Sequence, residues 1–569
     1  MSSLSTRVSY TKSEATSTNG MVATKHHLAT EAGLEMLRLG GNAMDAGVSA
    51  CFAVGVVEPE SSGIGGGGYM VFQMQDRGGV IGFPMKGPVG ANPDMYQLTG
   101  RKSVGTFGWP EVYNDENIHG YKSIAVPGTV AGLIEAHKRF GTLPLREVVE
   151  PAICLARKGF IPGWFTLYKF ANLTAMLKRY RELGNIFMPN NNLPFGNLDS
   201  PHTLRQPDLA DALESIAKDG SDAFYLGDIA AAIVNDIQAN DGILTRKDLE
   251  EYRVLSWEDG LQCSYRDKTI RVPPYACAGI TTAMTLKLWE HTGLSSYNHN
   301  STDMLHRYIS CARLAHADRF EYLGDPRFVD APWNGLMSKE YTHRRQLEID
   351  KDNIPIFKPG NPWIEEGRDP QTTFHSSSPQ PDNGTTHLAV IDNNGNAVSI
   401  TNTIMSGFGS GIVPKGTGII MNNGMMWYDP VPGRINSILP GKYPLNNMTP
   451  ALVLGTDGVE IAVGASGGRR ITNCVSSLII NMVDYNMGPQ EAIDAPRVDC
   501  STSSTDVDAR LDGETIVQLR NKGHTIRPVG EAFTQTGFSS FASPVAITRK
   551  KSSLKAGVDT FHSAHAAGL

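Results

Sequence analysis

Apolar residues recur at helical spacing along the first part of the chain. This spacing predicts a first helix that starts at Thr30 and ends before the Gly40-Gly41 pair. A second helix is predicted over 43–57, with Asn42 as its N-cap. Because this second segment is rich in Ala and Val, we expect it to be buried.

The middle third of the sequence is mainly helical in pattern. A Pro-, Asn- and Gly-rich segment, 352–384, shows neither helical nor strand periodicity and is predicted to be an exposed loop. Its length favours a functional or mobile segment. The helices predicted before it are 130–139, 145–157, 209–218, 230–239, 282–290 and 304–320.

The last third of the chain changes to strand patterns. Strands 387–391 and 396–401 are joined by Asp-Asn-Asn-Gly-Asn, a strong hairpin signal. Strands 451–454 and 459–463 flank Thr-Asp-Gly, and a glycine-rich turn then leads into a helix over 470–486. Early helices and late hairpins predict helix layers packed on antiparallel sheets.

Composition and charge narrow the class of protein. The 569 residues carry 51 Lys and Arg against 58 Asp and Glu, and the net charge of −7 argues against a nucleic-acid-binding protein. No run of 18 apolar residues occurs, so no membrane span is expected. The seven cysteines form no CxxC pair, which argues against a zinc site or a disulfide framework.

The first 20 residues are rich in Ser and Thr and contain no apolar stretch typical of a secretory signal. We expect residues 1–20 to be a disordered arm, with a transit peptide as the alternative. Order is predicted to begin near Met21. A cytoplasmic location is the expectation that follows.

Two glycine-rich motifs match known functional fingerprints. Gly63-x-Gly65-x-x-Gly68 matches the dinucleotide fingerprint, but a helix precedes it and a strand, 69–73, follows, which is the reverse of the required context. Close backbone approach between a helix and a sheet explains these glycines better.

The second motif, Gly464-Ala-Ser466-Gly-Gly468, resembles a nucleophile elbow. Asp484, Asp494 or Asp499 and then His524 would complete a Ser-Asp-His order. The hairpins that precede the motif are not the parallel β/α units such an elbow needs. The alternative uses only the backbone: the N–H groups of Gly467 and Gly468 bind a developing oxyanion at a helix N-terminus.

The third candidate is Thr385, in the sequence Gly384-Thr385-Thr386-His387. A threonine hydroxyl is a poor nucleophile without a base. If the chain were cut before Thr385, the freed α-amine would have a pKa of about 7.7–8.0 and could accept the hydroxyl proton. Two threonines that begin an ordinary strand are the alternative.

The predicted hairpin adds a partner for this residue. A three-residue loop, with Gly395 in the left-handed region, pairs Asp392 with Asn396 and therefore places Thr385 opposite Thr403 on the same face. A two-residue loop would instead place Thr403 opposite Thr386. The first register is favoured.

At this motif the sequence resembles the γ-glutamyltranspeptidase family, whose precursors cut themselves before the first threonine of Thr-Thr-His. The resemblance extends over about residues 21 to 546. The blocks that carry it, in family order, are 20–23, 32–33 with 40–46, 126–132, 324–326, 448–450 and 464–469.

The resemblance implies an α+β fold of the N-terminal nucleophile hydrolases: a four-layer αββα sandwich of two antiparallel sheets between helix layers. It implies a large subunit, 21–384 after the arm, and a small subunit, 385–569, which together form one domain. Thr385 would be the self-cleaving residue and nucleophile, with Thr403 orienting it and Gly467 and Gly468 as oxyanion donors. No metal or organic cofactor is implied.

The substrate pocket departs from the family pattern. The arginine that binds a γ-glutamyl α-carboxylate aligns with Pro84, and the two serines beside it align with Asn446 and Asn447. A free carboxylate needs a cation or several donors to offset its desolvation, and Lys86 and Arg434 are candidate replacements. The positions that would contact the α-amino end are Met405, Gly424 and Trp427.

The chain is therefore expected to be a threonine hydrolase or acyltransferase, which passes an acyl group to water or an amine. Two substrates remain open. One is a γ-glutamyl amide such as glutathione. The other is a different amide, as in the related cephalosporin acylases; the less polar pocket around Met425 and Met426 motivates it. A processed but inactive relative that serves as a binding partner is a hypothesis of another class.

Overall fold

Two antiparallel β-sheets lie face to face, and helices cover the outer side of each. The computed structural model describes residues 11–102, 110–196, 200–293, 297–369, 384–530 and 541–569. Within these ranges each of the two sheets has seven strands.

The strands in the described part of the chain, in chain order, are β1 (Ala15–Ser17), β2 (Gly20–Thr24), β3 (Gly67–Met74), β4 (Arg77–Phe83), β5 (Leu98–Lys102), β6 (Pro110–Val112), β7 (Leu255–Glu258), β8 (Leu261–Tyr265), β9 (Lys268–Val272), β10 (Gly384–Asp392), β11 (Ala397–Met405), β12 (Ala451–Gly455), β13 (Gly458–Ser466), β14 (Val498–Asp499), β15 (Thr505–Asp508), β16 (Ile526–Val529), β17 (Ser543–Lys550), β18 (Ser553–Val558) and β19 (His565–Gly568).

The α-helices in the same residues are α1 (His27–Arg38), α2 (Ala43–Val57), α3 (Thr129–Phe140), α4 (Leu145–Lys158), α5 (Trp164–Asn172), α6 (Thr174–Arg179), α7 (Arg181–Phe187), α8 (Pro207–Asp219), α9 (Ser221–Tyr225), α10 (Asp228–Ala239), α11 (Arg246–Glu250), α12 (Gly279–Glu290), α13 (Thr302–Tyr322), α14 (Trp333–Met337), α15 (Lys339–Gln346), α16 (Arg470–Val483), α17 (Pro489–Asp494) and α18 (Gly513–Asn521).

Strand order interleaves distant parts of the chain. Sheet I runs β1-β18-β17-β13-β12-β9-β8, and sheet II runs β19-β2-β10-β11-β3-β4-β7. Neighbouring strands in both sheets are antiparallel. Because β10 and β11 lie in the middle of sheet II, both faces of this hairpin are buried.

Three apolar cores hold the layers together. Between the sheets the side chains are often small, such as Ala23, Ala389 and Ala462, which lets the sheets approach closely. Helices that include α1, α2, α4 and α8 pack on the outer face of sheet II, and α12, α13 and α16 pack on that of sheet I. The predicted four-layer αββα sandwich is confirmed.

Most predicted elements are present. The helix over 43–57 has the predicted limits, and the Asn42 side chain accepts hydrogen bonds from the N–H groups of Met44 (2.8 Å) and Asp45 (3.2 Å). The six helices predicted in the middle third all form within three residues of their predicted limits. Both predicted hairpins are also present.

Several predictions were wrong. The first helix is capped by His26, not Thr30, because the His26 ring accepts the Leu28 N–H at 3.2 Å. Residues 11–20 are not a disordered arm, since β1 pairs with β18 there; residues 1–10 lie outside the described part. The helix predicted over 470–486 ends at Val483, where Asp484 follows as its C-cap.

Two further differences concern the middle of the chain. Strands β7 to β9 were missed, although Leu261, Cys263 and Tyr265 alternate with polar residues as a strand requires. In the segment 352–384, residues 352–369 are not wholly exposed, because Trp363 is fully buried. Residues 370–383 of that segment lie outside the described part.

Candidate active site

The β10–β11 hairpin brings two threonines together. Gly395 has a φ of +81°, and the Asp392 N–H donates to the Asn396 carbonyl at 3.0 Å, as the predicted three-residue loop requires. The ladder pairs Thr386 with Asn402 and shifts by one residue at Gly384, which pairs with Met405. Thr385 therefore lies beside Thr403, as predicted.

Hydroxyl groups surround the carbonyl oxygen of Gly384. The Thr385 Oγ1 lies 2.8 Å from this oxygen and 3.2 Å from the Thr403 Oγ1. The Thr403 hydroxyl also donates to the Gly384 oxygen and accepts the Met405 N–H at 2.8 Å. A hydrogen bond to a carbonyl oxygen stabilises negative charge there, so this arrangement favours attack on the Gly384 carbon.

The backbone around the shift is tightly constrained. A Cβ at position 384 would lie 2.3 Å from the Met405 carbonyl oxygen, so only glycine fits. Met405 has a φ of +87°, a conformation that is unfavourable for a side chain of this kind. Local strain of this type is common at catalytic sites.

A recess opens beside Thr385. It is a small space, partly open to solvent. The residues that line it are Lys25, Glu58, Ser61, Phe165, Lys169, Thr385, Ser466, Gly467, Phe541, Ser543 and His562. We call this space the Thr385 recess.

Gly467 of the predicted oxyanion pair lines the Thr385 recess. It lies between β13 and α16, with a φ of +136°, and a Cβ there would come within 2.8 Å of Ala542. Gly468 follows with a φ of +62°, and its carbonyl accepts the Ile471 N–H at 3.1 Å in the first turn of α16. The oxyanion role of both glycines remains a prediction.

Ser466 has none of the partners proposed for a serine nucleophile. Its hydroxyl donates to the Ser543 carbonyl at 3.4 Å. The candidate base His524 instead contacts His306 at 2.8 Å, and Asp499 accepts a hydrogen bond from Asn473 at 2.7 Å. The nucleophile-elbow interpretation of this motif is therefore wrong.

The glycines of the dinucleotide-like motif serve packing. A Cβ on Gly65 would lie 2.2 Å from the Ile420 carbonyl oxygen, and one on Gly68 would lie 2.2 Å from that of Thr401. Gly68 allows β3 to approach β11, the strand that carries Thr403. Close backbone approach is therefore present at Gly65 and Gly68, but it joins strand and loop backbone and not a helix and a sheet as predicted, and a Cβ on Gly63 would meet nothing closer than 4.0 Å.

Charged groups that the sequence analysis did not identify lie in or near the Thr385 recess. Glu58 accepts a hydrogen bond from the Thr386 hydroxyl at 2.9 Å, and burial raises the pKa of its carboxyl to about 7. Burial lowers the pKa of the Lys25 ammonium to about 8. The Lys169 ammonium lies 3.0 Å from the Glu60 carboxylate, and both side chains are buried.

A histidine completes this group. The Nδ1 of His562 lies 2.7 Å from the Asp559 carboxylate, and burial lowers the pKa of the imidazole to about 3. His562 is therefore neutral at physiological pH. The sequence signal that could have identified Lys25 is a lysine placed directly after a buried strand.

The six residues predicted to contact substrate do not line the Thr385 recess. The Pro84 carbonyl accepts the Tyr252 hydroxyl at 2.9 Å, and the Gly424 N–H donates to Asn422 at 2.9 Å. Met405 and Trp427 are buried in the core between the sheets. The substrate-binding role of these positions remains a prediction.

The two asparagines among these six are held by other protein groups. Asn446 donates to the Ala276 carbonyl at 2.7 Å, and Asn447 accepts from the Arg319 guanidinium at 3.1 Å. These contacts use polar atoms that would otherwise be free to bind a substrate.

The candidate replacement cations are also placed elsewhere. Arg434 pairs with Asp429 at 2.9 Å, and the Lys86 ammonium lies 5.8 Å from the centre of the Tyr252 ring. Within the described ranges, no three His, Cys, Asp or Glu side chains are arranged to hold a metal ion. In the same ranges, no helix combines the length and the apolar character needed to cross a membrane.

Comparison with known proteins identifies the family to which this chain belongs. The sequence profile described as gamma-glutamyltranspeptidase matches residues 29–569. The chain belongs to the γ-glutamyltranspeptidase family. It is thus an enzyme of hydrolase or transferase type, with the N-terminal nucleophile hydrolase fold.

The relatives of this chain include both glutathione hydrolases and acylases. A glutathione hydrolase proenzyme of Bacillus subtilis is 34% identical over 89% of this chain and 85% of its own. An acylase ACY 1 proenzyme of Pseudomonas sp. strain V22 is 34% identical over 90% of this chain and 88% of its own. The crystal structure of cephalosporin acylase from Bacillus halodurans superposes with a TM-score of 0.86 at 25% identity, covering 100% of this chain and 98% of that one.

Proposed function

We propose that this protein is a self-cleaving threonine amidohydrolase that breaks an amide through an ester on Thr385. The observation that carries the proposal is the position of the Thr385 hydroxyl, 2.8 Å from the Gly384 carbonyl oxygen, which the Thr403 hydroxyl also contacts. These contacts support the proposal because the hydroxyl proposed to attack and a second hydroxyl donor lie at the same carbonyl in the uncut chain.

Self-cleavage would follow directly from this arrangement. The Thr385 Oγ bonds to the Gly384 carbonyl carbon, the C–N bond between the two residues breaks, and the hydroxyl proton is transferred to the released nitrogen. Water then hydrolyses the ester, which frees the hydroxyl and leaves a carboxylate on Gly384. The products would be residues 1–384 and 385–569.

The released α-amine of Thr385 then supplies the base for later turnovers. It accepts the hydroxyl proton while Oγ attacks the substrate carbonyl, and it returns that proton to the leaving amine. Thr403 would orient the hydroxyl, and the N–H groups of Gly467 and Gly468 would stabilise the oxyanion. Water or a second amine then takes the acyl group from the ester.

We propose an acyl group other than γ-glutamyl as the main substrate class. Support comes from positions 84, 446 and 447, where Pro84, Asn446 and Asn447 supply no cation. Similarity to the cephalosporin acylase over the whole chain agrees with this proposal. A γ-glutamyl amide is the second candidate, which the glutathione hydrolase relatives favour.

Mass spectrometry and turnover test the proposal separately. The purified protein should give two fragments, and the smaller should begin at Thr385; a single stable species of 61.6 kDa would refute self-cleavage. Cleavage of glutaryl 4-nitroanilide without cleavage of γ-glutamyl 4-nitroanilide would support the acylase assignment. Turnover of the second compound alone would support the transpeptidase assignment.

A further inference from the structure

Lys25 projects into the space between the two sheets. It follows directly after β2, in which Ala23 pairs with Ala389 of β10. Side chains alternate along a strand, so Lys25 lies on the same face as Ala23, and Thr385 lies on the same face as Ala389. The Lys25 ammonium crosses to sheet I, where it donates to the Ser543 hydroxyl.

The Lys25 ammonium has more N–H groups than it has hydrogen-bond acceptors among the described residues. It is 2% exposed, and within the described residues the Ser543 hydroxyl is its one hydrogen-bond acceptor. No carboxylate of the described residues lies within 4.0 Å of it. An ammonium carries three N–H groups, and burying it without partners is costly.

The neighbouring charges are engaged elsewhere. Glu60 forms an ion pair with Lys169, and Asp559 accepts from both His562 and Arg497. Glu58 and Asp559 raise the pKa of the Lys25 ammonium from a distance, against the larger effect of burial.

Among the described residues that line the Thr385 recess, Lys25 is therefore the cation that forms no ion pair, since Lys169 pairs with Glu60. Its pKa of about 8 keeps most of the population charged at pH 7. His562 adds no positive charge, because its pKa of about 3 leaves the ring neutral.

We propose that Lys25 binds a carboxylate carried by the amide substrate. A carboxylate would accept the free N–H groups of the ammonium and offset the cost of its burial. The recess that Lys25 shares with Thr385 and Gly467 places this contact beside the bond that is broken. The proposal rests on the proposed function and adds to it the charge of the substrate.

Three chromogenic amides test the proposal. Pentanoyl 4-nitroanilide is neutral, glutaryl 4-nitroanilide carries a carboxylate on the acyl group, and pentanoyl 3-carboxy-4-nitroanilide carries it on the leaving amine. Wild type and the Lys25→Met and Lys25→Arg variants are compared on each compound.

We expect Lys25→Met to raise KM about 10- to 100-fold for one of the two carboxylated amides, as for loss of a hydrogen bond to a charged group. The compound affected shows which part of the substrate carries the carboxylate. KM for the neutral amide should change less than about twofold, and Lys25→Arg should restore most of the loss because it keeps the charge. Lys268→Met is the control and should change no KM, since Lys268 lies outside the recess and pairs with Glu460.

An equal rise in KM for all three amides, or a fall in kcat alone, would overturn the proposal and assign Lys25 to another role. If Lys25→Met does not self-cleave, inhibition of the wild type decides the question. Glutarate should compete with the neutral amide, and the uncharged glutaramide should not; equal inhibition by both would overturn the proposal. Failure of the proposed function is distinct, because the wild type would then cleave none of the amides.

Discussion

Replacement of Thr403 by valine tests the arrangement around the scissile bond. The substitution keeps the shape of the side chain but removes the hydroxyl that donates to the Gly384 carbonyl and lies 3.2 Å from the Thr385 hydroxyl. The same change removes the acceptor of the Met405 N–H. We expect the precursor to fold and to cut itself slowly.

The size of the effect follows from these contacts. Loss of one donor to a developing oxyanion slows a reaction by about 100- to 1,000-fold. The Met405 N–H left without a partner costs about 1–3 kcal/mol of folding free energy. The second effect lowers stability but does not by itself account for slow cleavage.

A time course of freshly purified precursor, followed by intact mass, measures the rate of cleavage. Thr403→Ser keeps the hydroxyl and should cut within about tenfold of the wild-type rate, or 1.4 kcal/mol. Thr401→Val is the matched control, because Thr401 lies on the same strand and its hydroxyl contacts His387 at 2.9 Å, not Gly384. Cleavage of Thr403→Val at the wild-type rate would refute this account of the site.

Three further predictions concern the nucleophile and the buried charges. Thr385→Ala should remain a single chain of 61.6 kDa, and a variant that still splits at this bond would exclude Thr385 as the self-cleaving residue. Lys169→Met leaves the buried Glu60 carboxylate without its ion-pair partner and should lower the unfolding free energy by about 3–5 kcal/mol. The control Arg157→Met, at a surface ion pair, should lower it by less than about 1 kcal/mol. Similar losses for the two variants in denaturant titrations would contradict this prediction. Burial raises the pKa of Glu58 from 4.5 to about 7, so its contribution to stability is complete below pH 4.5 and is lost as the pH rises through 7. Glu58→Gln should therefore reduce the fall in unfolding free energy between pH 5 and 7, and an unchanged pH profile would show that Glu58 does not titrate in this range.

Local sequence determined the hairpin that carries Thr385 and Thr403. The turn residues Asp392 to Asn396 allow a three-residue loop, and that loop sets the register of every residue pair that follows. Thr385 and Thr403 could therefore be placed side by side without a tertiary structure. The limits of α2 and of the middle helices could likewise be predicted from the sequence, because capping residues and helical spacing act within one turn.

Other features depended on distant parts of the chain. Strands β7 and β9 are short, and their pairing with β4 and β12 decides that they are strands at all. Residues 11–20 are ordered because β1 pairs with β18, more than 500 residues along the chain. No local pattern contains that partner.

The Thr385 recess was likewise decided by tertiary structure alone. Lys25, Glu58, Lys169 and His562 are separated by up to 537 residues (562 − 25) and meet only when the sheets close on each other. The altered pKa values of Lys25, Glu58 and His562 come from burial, which is a property of the closed sandwich and not of any segment. The sequence by itself determined that Thr385 lies beside Thr403, because a hairpin is a local structure. The charges around Thr385 were decided by the tertiary fold, because burial and ion pairing require contacts between remote segments.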